Sequence, residues 1–244
     1  MKSRNSRANA RKKIAVNSAD VYASSKRMTL QSFLPRRTIC TFKQTMFGAY
    51  TSGLAQQYGF FNLMANAFYQ PFGTGATLIG TTGLNKSNIT LAPGFATTQS
   101  PIGYSLMDVT YTYYKVRRAR LLVRCLPTAD IFLLSVEANT NQQSVVQQNS
   151  LGSNPYSKTV LAGPNQRPTE IVIDVSTPTI TGYSSVQFEG LPPVLMGAAP
   201  GSTQQWFFNV QWENYTSSNP VGNAAFKFEL IQEVELTEPE NFTS

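Results

Sequence analysis

The chain contains no histidine, and that absence removes Ser-His-Asp triads, Cys-His dyads and histidine-ligated zinc. Its two cysteines, Cys40 and Cys125, are too few for a four-cysteine metal site. Both fall in apolar, strand-like runs and read as two buried free thiols, against the alternatives of one disulfide or a reactive thiol. The 13 acidic residues are scattered rather than paired, so no two carboxylates are set for general acid–base hydrolysis. The run Gly80-Thr-Thr-Gly-Leu-Asn-Lys-Ser87 nearly matches a phosphate-binding loop, with Asn85 where the second glycine should stand. Such a loop needs a strand before it and a helix after it. Neither flanks this run and Pro93 follows closely, so it reads as a decoy. No catalytic residue, no metal and no cofactor is assigned, and the chain is not read as an enzyme.

The chemistry that does stand out is positive charge. Residues 1–37 hold ten cations, Lys2, Arg4, Arg7, Arg11, Lys12, Lys13, Lys26, Arg27, Arg36 and Arg37, against Asp20 alone. The other residues carry ten cations and twelve anions. The net charge of +7 therefore conceals a basic arm, residues 1–37, on a nearly neutral body, residues 38–244. The first 13 residues alternate Lys and Arg with Ser, Asn and Ala. They cannot bury enough surface to offset the entropy of ordering, so a free arm is expected to be disordered. Its expected partner is phosphate, bound by counterion release rather than base readout. A nuclear-localisation signal and a solubilising tail are the blander readings. The arm has no aromatic among its first 20 residues and so lacks a stacking platform for bases.

The body must position this arm, and its composition favours strands. Charged residues make up 14% and aromatics 11%. That is too little charge for the exposed faces of a helical bundle, and the many Thr, Gly, Pro and Tyr residues suit strands and turns. Alternation predicts strands over Thr38–Tyr50, Tyr58–Tyr69, Lys115–Leu126, Asp130–Glu137, Glu170–Val175, Tyr183–Phe188, Trp206–Tyr215 and Phe226–Leu236. Ser105–Tyr114 fits a short helix or a strand, Gln142–Asn149 one or two helical turns, and Gly73–Pro101 a surface excursion. With no internal repeat, about eight strands and long connections point to a Greek-key sandwich or jelly roll. Trp206, Phe208, Val210 and Trp212 share one face of their strand and are expected in the core rather than on a ligand platform. No apolar run reaches membrane-spanning length, so no membrane partner is expected. No secretory signal is read at the start, and the N-x-Ser/Thr triplets at Asn88, Asn214 and Asn241 are taken as chance.

The stretch Tyr111-Thr-Tyr-Tyr-Lys-Val-Arg-Arg-Ala-Arg-Leu-Leu-Val-Arg-Cys-Leu-Pro-Thr128 resembles the segment of small icosahedral virus capsid proteins that joins a short helix to jelly-roll strand D. Asn154-Pro-Tyr-Ser-Lys158, Gly163 and the Glu170–Val175 strand look more like capsid proteins of circular, Rep-encoding single-stranded DNA viruses (circovirus-like), and Phe226–Leu236 resembles strand I. The resemblance implies an all-β, eight-stranded antiparallel jelly roll of two four-stranded sheets. It further implies a capsid protein that assembles with itself into an icosahedral shell, the virion, around a single-stranded genome, DNA favoured over RNA. The arm would then be the nucleic-acid-binding part and could also direct the chain to the host nucleus. The host receptor is not identified by any motif, and the Gly73–Pro101 excursion is the expected outer surface. The rival readings are a non-viral nucleic-acid-binding β-domain and a secreted jelly-roll binding module.

The resemblance carries one finer expectation. In the jelly-roll order B-I-D-G, the face bearing Arg118, Arg120 and Arg124 would lie beside Glu229, Glu233 and Glu235. These arginines are then expected to pair with those glutamates rather than face the genome.

Overall fold

The computed structural model describes residues 35–51, 58–69, 86–87, 89–91, 101–128, 130–141, 154–164, 167–214 and 223–239. Their elements run in chain order as β1 (Arg37–Thr51), β2 (Tyr58–Met64), β3 (Lys86–Ser87), β4 (Ile89–Leu91), α1 (Tyr104–Asp108), β5 (Tyr111–Pro127), β6 (Phe132–Asn139), β7 (Ser157–Ala162), β8 (Thr169–Ser176), α2 (Thr177–Thr181), α3 (Ser185–Gly190), β9 (Val194–Leu195), β10 (Phe207–Asn214) and β11 (Asn223–Pro239). The two longest strands show why the sequence forms them. In β11, Ala224, Phe226, Phe228, Leu230, Gln232, Val234 and Leu236 all point inward and are buried, while Lys227, Ile231 and Glu233 between them are only partly so. That is the period of two that a sheet with one covered face requires.

One sheet has the order β4-β1-β11-β5-β8, with β9 also on β5, and the other has β3-β2-β10-β6-β7. Lettering the eight principal strands B to I in chain order turns these into B-I-D-G and C-H-E-F, the double Greek key of a jelly roll. The fold is thus the predicted one, with β3, β4 and β9 as short additions to the two four-stranded sheets. Between the sheets lies a core of Leu121, Val123, Phe132, Leu134, Trp206, Phe208, Val210, Trp212 and Phe228, each fully buried. Trp206 and Trp212 are therefore core residues, as expected. The Trp206 indole donates to Thr177 Oγ1 at 3.1 Å, and that hydroxyl donates to the Val116 carbonyl at 2.7 Å. The second cluster gathers Phe42, Phe68, Tyr104, Tyr111 and Tyr114 at one end of the sandwich, with Phe68 4.5 Å from Phe42 and 5.0 Å from Tyr104 between ring centroids. It seats α1 through Tyr104.

Four details depart from the sequence reading. Tyr183–Phe188 is not a strand: Ser184 and Gln187 form a capping box that starts α3. The strand that completes the eight is instead β7, whose Ser157, Lys158 and Thr159 bury little. The Gly73–Pro101 stretch is not wholly an excursion, since β3 pairs with β2 and β4 with β1. The fourth is in β5, where the buried residues step from Tyr114 and Val116 to Ala119, Leu121 and Val123. The step of three between Val116 and Ala119 turns Arg117 and Arg118 outward together, the signature of a β-bulge. Gln142–Asn149 lies outside the described residues.

Candidate nucleic-acid interface

Of the ten cations assigned to the arm, Lys2, Arg4, Arg7, Arg11, Lys12, Lys13, Lys26 and Arg27 lie outside the described residues. Arg36 is exposed. Arg37 opens β1, and its guanidinium is held by carboxylates. It bonds Glu235 through Nε at 2.7 Å and through Nη2 at 2.8 Å, and it meets Glu189 at 3.0 Å. The same two carboxylates hold Arg117, Glu235 at 2.6 Å and Glu189 at 2.7 Å. Two arginines and two glutamates thus close a ring across β1, β11, β5 and α3. Glu235 is the deep member, with 6% of its side chain exposed, and Arg37 is half exposed at 50%. The Arg117 guanidinium also holds the Glu189 carboxyl below the usual carboxylate range. The bulge in β5 is what aims Arg117 into this ring.

Other charged side chains on the outer face of this sheet are paired in the same way. Arg118 grips Asp174 with two bonds, 2.6 and 2.9 Å, and Arg124 bonds Glu170 at 2.8 Å. Lys43 meets Glu229 at 2.7 Å, and Lys227 reaches the other oxygen of the same carboxylate. The two ammonium groups, Lys227 first, depress the Glu229 carboxyl to about 2. Lys115 is seated differently. Its ammonium donates to the carbonyls of Phe188, Glu189 and Leu191 at 3.2, 3.2 and 2.9 Å and lies 5.2 Å over the Phe188 ring. Burial pushes its pKa down. It closes the C-terminal end of α3, where carbonyls are left without helical partners.

The expected pairing of Arg118, Arg120 and Arg124 with Glu229, Glu233 and Glu235 is therefore corrected. Strand β5 does lie beside β11, but its arginines turn to its other neighbour, β8. Antiparallel register places Arg124 opposite Glu170 and sets Arg118, opposite Ser176, two positions from the Arg120–Asp174 pair. Glu229 and Glu235 are already taken by Lys43, Lys227, Arg37 and Arg117. Arg120 is exposed and forms no ion pair among the described residues. The sequence reading missed Arg117 and Lys115. The adjacent Arg117-Arg118 pair, which breaks the alternation of β5, is the signal that could have found the bulge.

Other candidates resolve simply. Lys86 and Ser87 of the near phosphate-binding loop form β3, antiparallel to β2, and do not open a helix. Cys125 is a buried free thiol whose pKa burial pushes up to about 12, and Cys40 is free and half-buried. Among the described residues, no cluster of histidine, cysteine, aspartate or glutamate could hold a metal ion. No described helix is long and apolar enough to cross a membrane.

No family model matches this sequence, and no curated protein matches it. The fold is similar to that of several solved structures. Against Desmodium yellow mottle tymovirus the chain is 7% identical, with 86% of this chain and 93% of that chain covered and a TM-score of 0.38. Against tobacco necrosis virus it is 12% identical, with 84% and 97% covered and a TM-score of 0.37. Against the Macrobrachium rosenbergii nodavirus it is 9% identical, with 85% and 60% covered and a TM-score of 0.41. At such identities the likeness concerns the fold, which the strand order establishes independently. The closer resemblance to circular single-stranded DNA viruses, and the preference for DNA, gain no support from these structures.

Proposed function

We propose that this chain is a viral coat protein, copies of which assemble into an icosahedral shell and package a single-stranded genome through the basic arm. The observation that carries the reading is the division of charge. A segment with ten cations and one anion precedes a jelly roll whose outer-face cations are largely taken up by its own carboxylates. Positive charge free to meet phosphate is thus concentrated in the arm. With Arg37 engaged by Glu235 and Glu189, the rest of the arm can neutralise about eight phosphates, so many arms together offset the self-repulsion of a packed strand. Phosphate neutralisation acts on DNA and RNA alike, and little base discrimination is expected. The near-neutral body suits association with like copies, because a strongly charged one would repel them. A lone nucleic-acid-binding β-domain would be expected to have a basic body, whereas residues 38–244 carry ten cations against twelve anions.

Negative-stain microscopy of the purified full chain, with and without a single-stranded oligonucleotide, tests this. Closed particles of uniform size are expected. A monomer that coats the strand without forming particles would refute the coat-protein reading.

A further inference from the structure

A pocket of about 200 Å³ opens beside the β5 bulge, between the start of α2, α3 and β11, with Arg117, Arg118, Pro178, Phe188, Glu189 and Glu233 in its wall. That is below the roughly 300–1,000 Å³ of sites for drug-sized ligands, so it has room for one small ring system. Most of its charged groups are already engaged. Arg117 is held by Glu235 and Glu189, and Glu189 also meets Arg37. Two groups are not. Glu233 is half-buried and makes no hydrogen bond or ion pair among the described residues. Arg118 spends Nε and Nη2 on Asp174 and leaves Nη1 without a bond among the described residues. Asp174 above all, with a smaller share from Glu233, holds the Arg118 guanidinium above its usual range.

The pocket thus sets a free carboxylate near a free guanidinium edge, and this combination selects its ligand. A phosphate would suit Arg118, but Glu233 and Glu189 repel it and it has no N–H for Glu233 to accept. An ammonium would suit Glu233, but Arg117 and Arg118 repel it. A neutral planar group with two donors on one edge and acceptors on another satisfies both. Among the four bases, guanine alone offers two adjacent donors, N1–H and N2–H, to a carboxylate, together with the O6 and N7 acceptors that arginine recognises.

We infer that this pocket takes a guanine base of the bound single strand. The inference rests on the strand-binding reading above and gives the body a base preference that phosphate contacts cannot supply. Asp174 fixes the Arg118 fork before any base arrives, which lowers the entropy lost on binding. The source of the base follows from chain connectivity. Glu189, in the pocket wall, bonds Arg37, the last cation of the basic segment. A strand held by the residues that precede Arg37 is therefore tethered to the pocket by the chain itself, which raises the effective concentration of its bases there.

The test is an anisotropy titration of the full chain with two labelled single strands of equal length, one of uridine and adenosine only and one with isolated guanosines. Wild type is expected to bind the guanosine strand about five- to tenfold more tightly, the low end for a bidentate base contact, with equal salt slopes for the two. Glu233→Gln leaves one acceptor in place of two and is expected to erase that ratio. Its melting temperature should match wild type, and any gain from the lost negative charge falls on both strands alike. Equal affinities in wild type, or a ratio that survives Glu233→Gln, overturns the pocket and leaves the strand reading standing. If neither strand binds, the strand reading falls, and calorimetric titration with free guanosine and free adenosine decides the pocket. Saturable guanosine binding that Glu233→Gln abolishes then keeps it as a site for the free nucleoside. No preference for guanosine overturns both.

Discussion

Arg36 and Arg37 are neighbours in sequence with opposite expected roles, and replacing each with glutamine separates them. Arg37 bonds both oxygens of Glu235, whose side chain is 6% exposed, and links to Glu189 as well. Its loss leaves the Glu235 carboxylate to Arg117 alone. A charge-assisted bidentate bond to a buried carboxylate would contribute more than a surface pair, but half of the Arg37 side chain is in water and screened. About 1 kcal/mol is the expected cost of Arg37→Gln, which for a body of this size lowers the melting temperature by about 2–4 °C. Because that charge is engaged within the fold, the salt dependence of oligonucleotide binding should stay as in wild type. Arg36→Gln should do the reverse, leaving the melting temperature unchanged. It should also make the slope of log K against log salt shallower by about 0.7, one single-strand phosphate contact. Differential scanning fluorimetry and anisotropy titrations over a salt series read both quantities. If Arg37→Gln flattens the salt slope as much as Arg36→Gln and leaves the melt untouched, the ring is not where Arg37 acts and the arm extends through it.

Trp212→Ala should destabilise the fold by about 3–5 kcal/mol, because the indole is fully buried and packs 4.6 Å from the Phe226 ring centroid. A chemical-denaturation midpoint equal to wild type would place it outside the core. Glu229 titrates at about 2 in the fold, below the ordinary glutamate value of about 4.3. Its contribution is therefore present above the ordinary value and is lost as pH falls through about 2. The stability advantage of wild type over Glu229→Gln, about 1 kcal/mol after screening around half-exposed Lys43, should hold at pH 6 and fade between about pH 5 and 2. An advantage that is constant with pH would show that the two lysines do not hold this carboxylate.

The parts of the fold that the sequence discloses are those in which one face of a strand is covered and the other wet. Strands β5, β8 and β11 alternate for that reason, and their faces follow the expected assignment. Strand β7 was hidden because it buries little beyond Val160 and Ala162, so its polar residues resemble a loop. The α3 helix was hidden because Tyr183–Phe188 has a strand-like composition, although Ser184 and Gln187 carried a capping box three residues apart. The outer-face ion pairs show what a sequence withholds. The neighbours of β5 follow from jelly-roll order, yet the choice of Asp174 and Glu170 over Glu229 and Glu235 is set by register and by competition from Lys43, Lys227, Arg37 and Arg117. The ring around Glu235 needed the bulge at Arg117 and Arg118, which shows in the sequence only as one broken alternation. The arm is expected from charge alone, and apart from Arg36 and Arg37 its cations lie outside the described residues.

The division of labour between arm and body is tested most directly by deleting residues 1–34 and titrating a labelled single strand with both chains across salt. If the full chain makes 6–10 phosphate contacts, its affinity should fall by about 10³–10⁵ between 50 and 200 mM salt, and alike for unrelated sequences of equal length. The shortened chain keeps every described strand and should fold, bind weakly and show a shallow slope. Equal affinity and equal slope for the two chains would mean that the body binds the strand and would contradict the account.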